Sequence, residues 1–583
     1  MADTLPLDLA KVDPAEAWAS YKPSAAVPWN AKWIAHFYRR AAFGPSPADT
    51  KRALADGFDA TLDRLMTGEA DAAEWLDLFT KTGHYFRNDT EIRVGWLWMM
   101  VEGGHPLREK LTLFWHNHFA TSYSKVQRTR LMLEQNLLLR KHALGQFRPF
   151  LLDMSRDTAM LKWLDSNQNI VGAPNENFAR EVMELFSLGV GHYTEKDIQE
   201  AARAFTGWHV DSRIDTDEDT FQFKPVLHDD GQKSVFGRTG NWNGDDIVRF
   251  CCDKPDCAKF LVGKLYTFLV SETRPPEKLL EPLEERFRKS DYDIADLVKA
   301  MLGSRLFFSP HAYRKCVKWP VEYALGAIRA AVPPRPPKPA DGKLAEIQWV
   351  PFGDLVDPLA KMGQVLFAPP NVKGWRTGTD WLNSATLLAR NNYAETVATA
   401  NWPRTSTKPG PNATFSAVGS PATVAEPTPP LTPYPLEGSA AAAGAAAALT
   451  FPTVPGPDGK MFIVPGAGDL DTPPPAPPPG AGSTAVQPKG PPGAPAPSLP
   501  DAKLDPAELL FNPKPKDVPE LVKRMGEGLF GEPIPAAAKT RIEKFLLDGK
   551  TSLTDKDLEN PAFRVRTREA LHALMCLPEY QLN

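Results

Sequence analysis

The stretch 175–209 is dense in ionisable side chains of the types that transfer protons or bind metal ions. Glu176, Arg180 and Glu184 repeat at i, i+4 and i+8, while Glu181 falls on a neighbouring side. Side chains three or four residues apart lie one above another on an α-helix, so these groups occupy adjoining faces. The pattern fits either a solvated face of ion pairs or a polar site in which Arg180 holds one carboxylate in place.

Two predicted helices position these groups. Asn175 is a favourable N-cap for the first helix, and Phe178, Val182 and Leu185 form its buried stripe at i, i+4 and i+7. Thr194 caps a second helix a few residues later. The carboxylates at positions 181 and 184 therefore lie on a side distinct from the buried stripe.

A second candidate group is the pair of histidines in Leu-Phe-Trp-His-Asn-His-Phe, residues 113–119. Residues two apart on a regular helix point about 200° apart, so His116 and His118 face opposite sides. They could bind one metal ion together only if the helix unwinds after Trp115. His118 belongs to the apolar stripe of its helix, and the alternative for it is a core histidine hydrogen-bonded to a neighbour.

Two further polar groups lie in predicted loops. Asp165 follows the apolar run 160–164, where it is either a turn former or a side chain delivered close to Glu176. His228 begins the loop His-Asp-Asp-Gly. We expect His118, Asp165, Arg180 and Glu181 to converge in one pocket, because buried carboxylates require a cationic or metal partner.

Composition limits the function classes. The 583 residues carry a net charge of -4, which gives no basic surface for nucleic acid. No stretch reaches the roughly 18 apolar residues of a membrane span. The number of cysteines is odd, five, and the N-terminus shows no signal peptide, which together argue against a disulfide framework. The missing signal peptide also predicts a cytoplasmic protein. The spacing of Cys251, Cys252 and Cys257 does not match a zinc knuckle.

The periodicity predicts a mainly α protein: one large multi-helix domain with a long insertion. Residues 1–31 are predicted to be a loosely packed N-terminal arm, and 32–400 the helical core domain. Residues 401–503 are rich in Pro, Ala and Gly, which predicts a disordered insertion, with a short strand-like run at 460–464. Helical patterns return in 504–583, which we expect to pack back on the core because that segment alone buries little apolar area.

Several motifs occur in one order along the chain. They are His-Phe-Tyr-Arg-Arg-Ala-Ala-Phe-Gly-Pro at 36–45, Leu-Phe-Trp-His-Asn-His-Phe at 113–119, Met-Leu-Lys-Trp-Leu-Asp at 160–165, Asn-Glu-Asn-Phe-Ala-Arg-Glu-Val-Met-Glu-Leu-Phe at 175–186, Tyr-Thr-Glu-Lys-Asp at 193–197, His-Asp-Asp-Gly at 228–231, Pro-Pro-Asn-Val-Lys-Gly-Trp at 369–375 and Pro-Glu-Tyr-Gln-Leu at 578–582. With these motifs the chain resembles the bacterial family called domain of unknown function 1800, over about 33–397 and 504–583.

The resemblance implies a large, mainly helical domain and no established activity. Members of that family often look exported and are commonly encoded beside a sulfatase-like family, domain of unknown function 1501, which carries a twin-Arg signal. The resemblance therefore suggests a sulfatase-like partner. Because this chain has no signal of its own, the alternative to a cytoplasmic location is export together with that partner.

Two functions remain open from the sequence. The first is metal-assisted hydrolysis with a divalent metal ion as cofactor. Its predicted metal ligands are His118, Glu181, Asp165 and His228, and its predicted catalytic residues are Glu176, Arg180, Glu184 and His116. In this interpretation Glu184 or Glu176 is the base, and Arg180 neutralises developing charge. The second is a non-enzymatic structural or interaction protein, in which the polar cluster is a buried network that fixes helix packing.

Overall fold

The fold was obtained as a computed structural model that describes residues 5–213, 218–331, 355–399, 453–455, 461–463 and 510–583. The described residues form a mainly α protein, as predicted. The chain divides into two compact units, Met1–Thr414 with Lys503–Asn583, and Phe415–Ala502. Most of the predicted disordered insertion lies outside the described residues.

The described residues of the first unit are mostly helical. The helices are α1 Pro14–Ala17, α2 Ala31–Ala41, α3 Pro47–Asp56, α4 Phe58–Thr67, α5 Ala72–Gly83, α6 Asp89–Glu102, α7 Pro106–His118, α8 Tyr123–Val126, α9 Thr129–His142, α10 Phe147–Ser155, α11 Thr158–Trp163, α12 Glu176–Glu181, α13 Glu195–Ala204, α14 Gly244–Asp253, α15 Pro255–Leu269, α16 Glu277–Lys289, α17 Ile294–Leu302, α18 Pro320–Ala331, α19 Val356–Lys361, α20 Ser384–Thr399, α21 Val518–Phe530, α22 Ala536–Leu547, α23 Asp555–Glu559 and α24 Pro561–Met575. Within the described ranges, no helix combines the length and apolarity needed to cross a membrane.

Short antiparallel hairpins are the β-structure of the described residues. In the first unit, β1 Trp208–Arg213 pairs with β2 Glu218–Phe223, and β3 Lys233–Val235 pairs with β4 Arg238–Gly240. The described part of the second unit is one hairpin, β5 Thr453–Pro455 with β6 Met461–Ile463, at the predicted strand-like run.

One hydrophobic core runs through the first unit. It includes residues from both sides of the insertion, so Phe37 and Trp115 belong to the same buried cluster as Phe530 and Tyr580. Polar contacts join the same segments: the Arg39 guanidinium donates to the Leu529 carbonyl at 3.0 Å. The C-terminal helices therefore pack on the helices that precede the insertion.

The N-terminal segment differs from the predicted loose arm. Ala17 and Tyr21 are buried. The Tyr21 amide donates to the Gly303 carbonyl at 2.7 Å, and the Leu306 amide donates to the Ala17 carbonyl at 2.9 Å. Residues 17–21 are thus held by backbone hydrogen bonds to the segment after α17, which sequence periodicity could not indicate.

Candidate functional site

The predicted helix pair at 175–209 is present, with one departure from regular geometry. Asn175 caps α12, and Thr194 caps α13 through a reciprocal capping box with Asp197. After Glu181 the chain continues as a π-helical segment, Val182–Ser187. A π-turn is wider than an α-turn and often occurs at functional sites. Regular helical spacing therefore no longer gives the direction of Glu184 relative to Glu181.

Arg180 forms a partly exposed ion-pair network. Its guanidinium donates to both carboxylate oxygens of Glu195, at 2.7 and 3.0 Å, and to Glu176 at 3.0 Å. These pairs tie α12 to the beginning of α13. The network matches the solvated ion-pair interpretation, and it engages two of the residues predicted to act in catalysis.

Glu181 and Glu184 have a different environment. The Tyr193 hydroxyl donates to Glu184 at 2.6 Å. Burial, reinforced by the neighbouring Glu184, raises the pKa of Glu181 to about 7, although Arg180 and Lys373 act in the opposite direction. The Glu181 carboxyl therefore exchanges protons near neutral pH.

His118 is a buried core histidine that is hydrogen-bonded to its neighbours. This was the alternative to a metal ligand in the sequence analysis. Its Nε2 donates to the Phe186 carbonyl at 3.0 Å, which leaves Nδ1 to accept from the Lys264 ammonium at 3.1 Å. Burial, with a further contribution from Lys264, holds the pKa of His118 well below its usual value. His118 is thus neutral and orients Lys264.

His116 points away from His118, as the helical geometry predicts. It is buried among the rings of Trp96, Phe367 and Trp375, at centroid distances of 5.2–5.5 Å. Burial lowers the pKa of His116 to about 3. Among the described residues neither ring nitrogen has a hydrogen-bond partner. His116 is thus enclosed by three aromatic rings.

The remaining two predicted ligands have their own partners. Asp165, with a left-handed backbone (φ 57°), accepts from Lys125 at 2.8 Å. His228 donates from Nδ1 to the Thr206 carbonyl at 2.8 Å. Both contacts are long-range, since they join each residue to a segment 40 and 22 residues away in the chain.

The metal prediction is not supported by this arrangement. In the part of the chain that the structure describes, no three His, Cys, Asp or Glu side chains are grouped so that they could hold one metal ion. His118, Glu181, Asp165 and His228 therefore do not form one ligand set. The reason is geometric, because each side chain lies among different partners: His118 contacts Phe186 and Lys264, Asp165 contacts Lys125, and His228 contacts Thr206.

A cavity of ≈ 500 Å³ lies beside α15, next to His118. It is lined by residues of α15, by Leu188–Val190 after the π-turn, and by the segments around Glu272 and Trp319. None of the four side chains predicted to converge (His118, Asp165, Arg180 and Glu181) lines it. His192 does line the cavity, and it is paired with Asp256 at 2.7 Å. We call this space the α15 cavity.

Two titratable side chains that line the α15 cavity could take part in acid–base chemistry. Burial lowers the pKa of Lys264 to about 8. Burial also raises the pKa of Glu272 to about 7, against the opposing effects of Arg40 and the Val317 amide, which donates to Glu272 at 3.1 Å. Both groups line the cavity. Each can change protonation state near neutral pH, as acid–base chemistry requires.

Sequence reasoning missed both groups. One feature of the sequence could have indicated Lys264: it is a charged residue within the apolar stretch of α15. No such feature marked Glu272, because it lies in an irregular connection. Its contact with the Val317 amide, 45 residues later, exists only in the folded chain.

Comparison with known proteins gives the family but no activity. No curated protein and no solved structure matches the chain significantly. A family model described as "Protein of unknown function (DUF1800)" matches residues 36–582, which is nearly the whole chain. The motifs and this match agree, and the chain belongs to the DUF1800 family.

Proposed function

We propose that this chain is an enzyme that hydrolyses a small molecule bound in the α15 cavity. The observation that carries the proposal is that Lys264 and Glu272 line one cavity and have pKa values of about 8 and about 7. Groups with such shifted pKa values in a cleft are candidates for general acids and bases. The cavity, ≈ 500 Å³, is also of the size that encloses a small ligand.

Each side chain has a defined part in the proposed reaction. The Glu272 carboxylate accepts a proton as water attacks the scissile bond, and returns it to the leaving group. The Lys264 ammonium stabilises the negative charge that develops on the attacked group. His118 acts as a positioning residue, because its neutral Nδ1 accepts from Lys264 while its Nε2 is held by Phe186.

The proposed reaction is still a hydrolysis, but other residues perform it. The His, Asp and Glu set predicted for metal-assisted hydrolysis is not brought together among the described residues. The metal content of the purified protein remains a direct check on the earlier prediction. The proposed roles of Lys264 and Glu272 need no metal ligand from that set.

The test is an activity screen of the purified full-length protein with chromogenic carboxylic esters, phosphate esters and glycosides between pH 5 and 10. We expect one class to be hydrolysed, and Glu272→Gln and Lys264→Met each to lower kcat/KM by about 100-fold or more. Lys125→Met is the control, because Lys125 pairs with Asp165 and does not line the α15 cavity. Hydrolysis that survives both cavity substitutions would contradict the proposal.

A second candidate is a non-enzymatic interaction protein that works with a sulfatase-like partner of the domain of unknown function 1501 family. The observation in its favour is that Arg180 and Glu176, both predicted to be catalytic, are engaged in a partly exposed network with Glu195. In this case the chain stays in the cytoplasm or is exported with the partner. Co-purification of the two co-expressed proteins tests it: Arg180→Met should weaken the complex, whereas Glu272→Gln should leave it intact.

A further inference from the structure

Lys264 is a cation without an anionic partner among the described residues. Its ammonium contacts the neutral His118 imidazole at 3.1 Å and lies 4.8 Å from the centre of the Phe260 ring. No described carboxylate pairs with it, and burial alone lowers its pKa. A buried charge costs several kcal/mol unless an opposite charge or strong hydrogen bonds compensate. Lys264 therefore lacks the group that would compensate its charge.

Other lysines near the cavity do not share this property. Lys259, five residues earlier on α15, pairs with Glu277 at 3.0 Å. Lys110 is buried and pairs with Glu322. Within the described parts of the chain, these two lysines have carboxylate partners, whereas Lys264 faces the cavity without one. Of these three lysines, Lys264 is the one with no described carboxylate partner.

We propose that the ligand of the α15 cavity carries an oxyanion, a carboxylate or a phosphate, which binds to the ammonium of Lys264. The inference rests on the proposed function, since it names the substrate class of the same cavity. The oxyanion replaces the missing counter-charge and accepts a charge-assisted hydrogen bond from Nζ. Arg274 also lines the cavity. The Phe114 and Phe268 rings on the cavity wall suit the apolar body of a small organic acid or ester.

The test measures anion binding directly on the full-length protein, without a substrate. Sodium phosphate, sodium acetate and neutral acetamide are titrated at constant ionic strength set with sodium chloride, and binding is followed by calorimetry and melting temperature. We expect phosphate or acetate to bind. At 100 times its Kd the bound anion should raise the melting temperature by about 3 °C. Acetamide has the shape of acetate without its charge, and should give no shift.

Matched variants locate the site. Lys264→Met should abolish anion binding, while Lys259→Met on the same helix should keep it, because Lys259 is already neutralised by Glu277. Loss of binding in both variants would mean a diffuse positive surface and would overturn the inference. Lys264→Arg keeps a charge that does not titrate below pH 12. It should bind anions equally at pH 7 and 10, whereas the wild-type affinity falls up to about tenfold per pH unit above pH 8.

The two anions distinguish the ligand class. Tighter binding of phosphate indicates a phosphorylated substrate, and tighter binding of acetate indicates a carboxylic acid. If neither binds while Glu272→Gln still abolishes hydrolysis, the anion inference is wrong and the proposed function stands. If an anion binds to the wild type and not to Lys264→Met but no ester or glycoside is hydrolysed, the anion site stands and the proposed hydrolysis fails.

Discussion

Replacing Glu181 by glutamine should make the protein more stable above neutral pH. Glu181 is the last residue of α12, is partly buried, and has no hydrogen-bond partner among the described side chains that lowers its pKa. Burial and the neighbouring Glu184 raise its pKa from 4.5 to about 7. Its negative charge is therefore destabilising in the folded state, and glutamine removes that charge while keeping the size and polarity.

The sign follows from proton binding. Between pH 4.5 and about 7 the folded state holds a proton on Glu181 that the unfolded state has lost. Stability then falls as the pH rises through this window and is constant above it. A shift of 2.5 units is worth about 3 kcal/mol. Because the carboxyl is only partly buried and solvent screens it, we expect about 1–2 kcal/mol.

The assay compares melting temperatures of the wild type and Glu181→Gln between pH 4.5 and 9. The variant should equal the wild type near pH 5 and exceed it by about 1–3 °C at pH 8. Glu176→Gln is the matched control on the same helix. Since Glu176 accepts from Arg180 at 3.0 Å, its loss should lower stability slightly, by about 0.5 kcal/mol, at both pH values. A Glu181→Gln protein that is less stable than the wild type at pH 8 would refute the reasoning.

Two further predictions concern stability. Arg140→Met should lower the free energy of unfolding by about 3–5 kcal/mol, because the buried Glu109 carboxylate would lose the two hydrogen bonds, 2.7 and 2.9 Å, that it accepts from Arg140. Denaturant titration measures the change, and a loss below about 1 kcal/mol would contradict the prediction. Gly374→Ala should cost about 2–4 kcal/mol, since φ is 88° and the new Cβ would lie 2.5 Å from the Asn117 carbonyl oxygen. Gly172→Ala, at φ 80° with open space around it, is the control and should cost only about 1 kcal/mol.

The helices and their caps could be read from the sequence because the forces that set them act between neighbours. Asn175 and Thr194 cap their helices as predicted, and the capping box with Asp197 is present. The opposite directions of His116 and His118 also follow from helix geometry alone, and the structure confirms them. A cap or a helical phase depends on residues at most a few positions away.

Only part of the candidate site could be predicted from the sequence. The ion pair between Glu176 and Arg180 spans one helical turn, so spacing indicated it. The π-turn that begins at Val182 could not be predicted from the sequence, because it depends on how the helix packs and not on a local motif. Its effect is seen at Leu185, which was predicted for the buried stripe and is only partly buried, whereas Phe186 is buried.

By itself, the sequence determined the family, the mainly α fold class and, in regular helices such as α7, which residues share a face. Only the tertiary structure decided which faces meet. Lys264 reaches His118 across 146 residues of chain, and Glu272 meets the Val317 amide across 45. Such pairs form because whole apolar faces are buried together, and the polar groups carried with those faces must then find partners or line a cavity. No spacing rule contains that information, which is why the α15 cavity appears only in the folded chain.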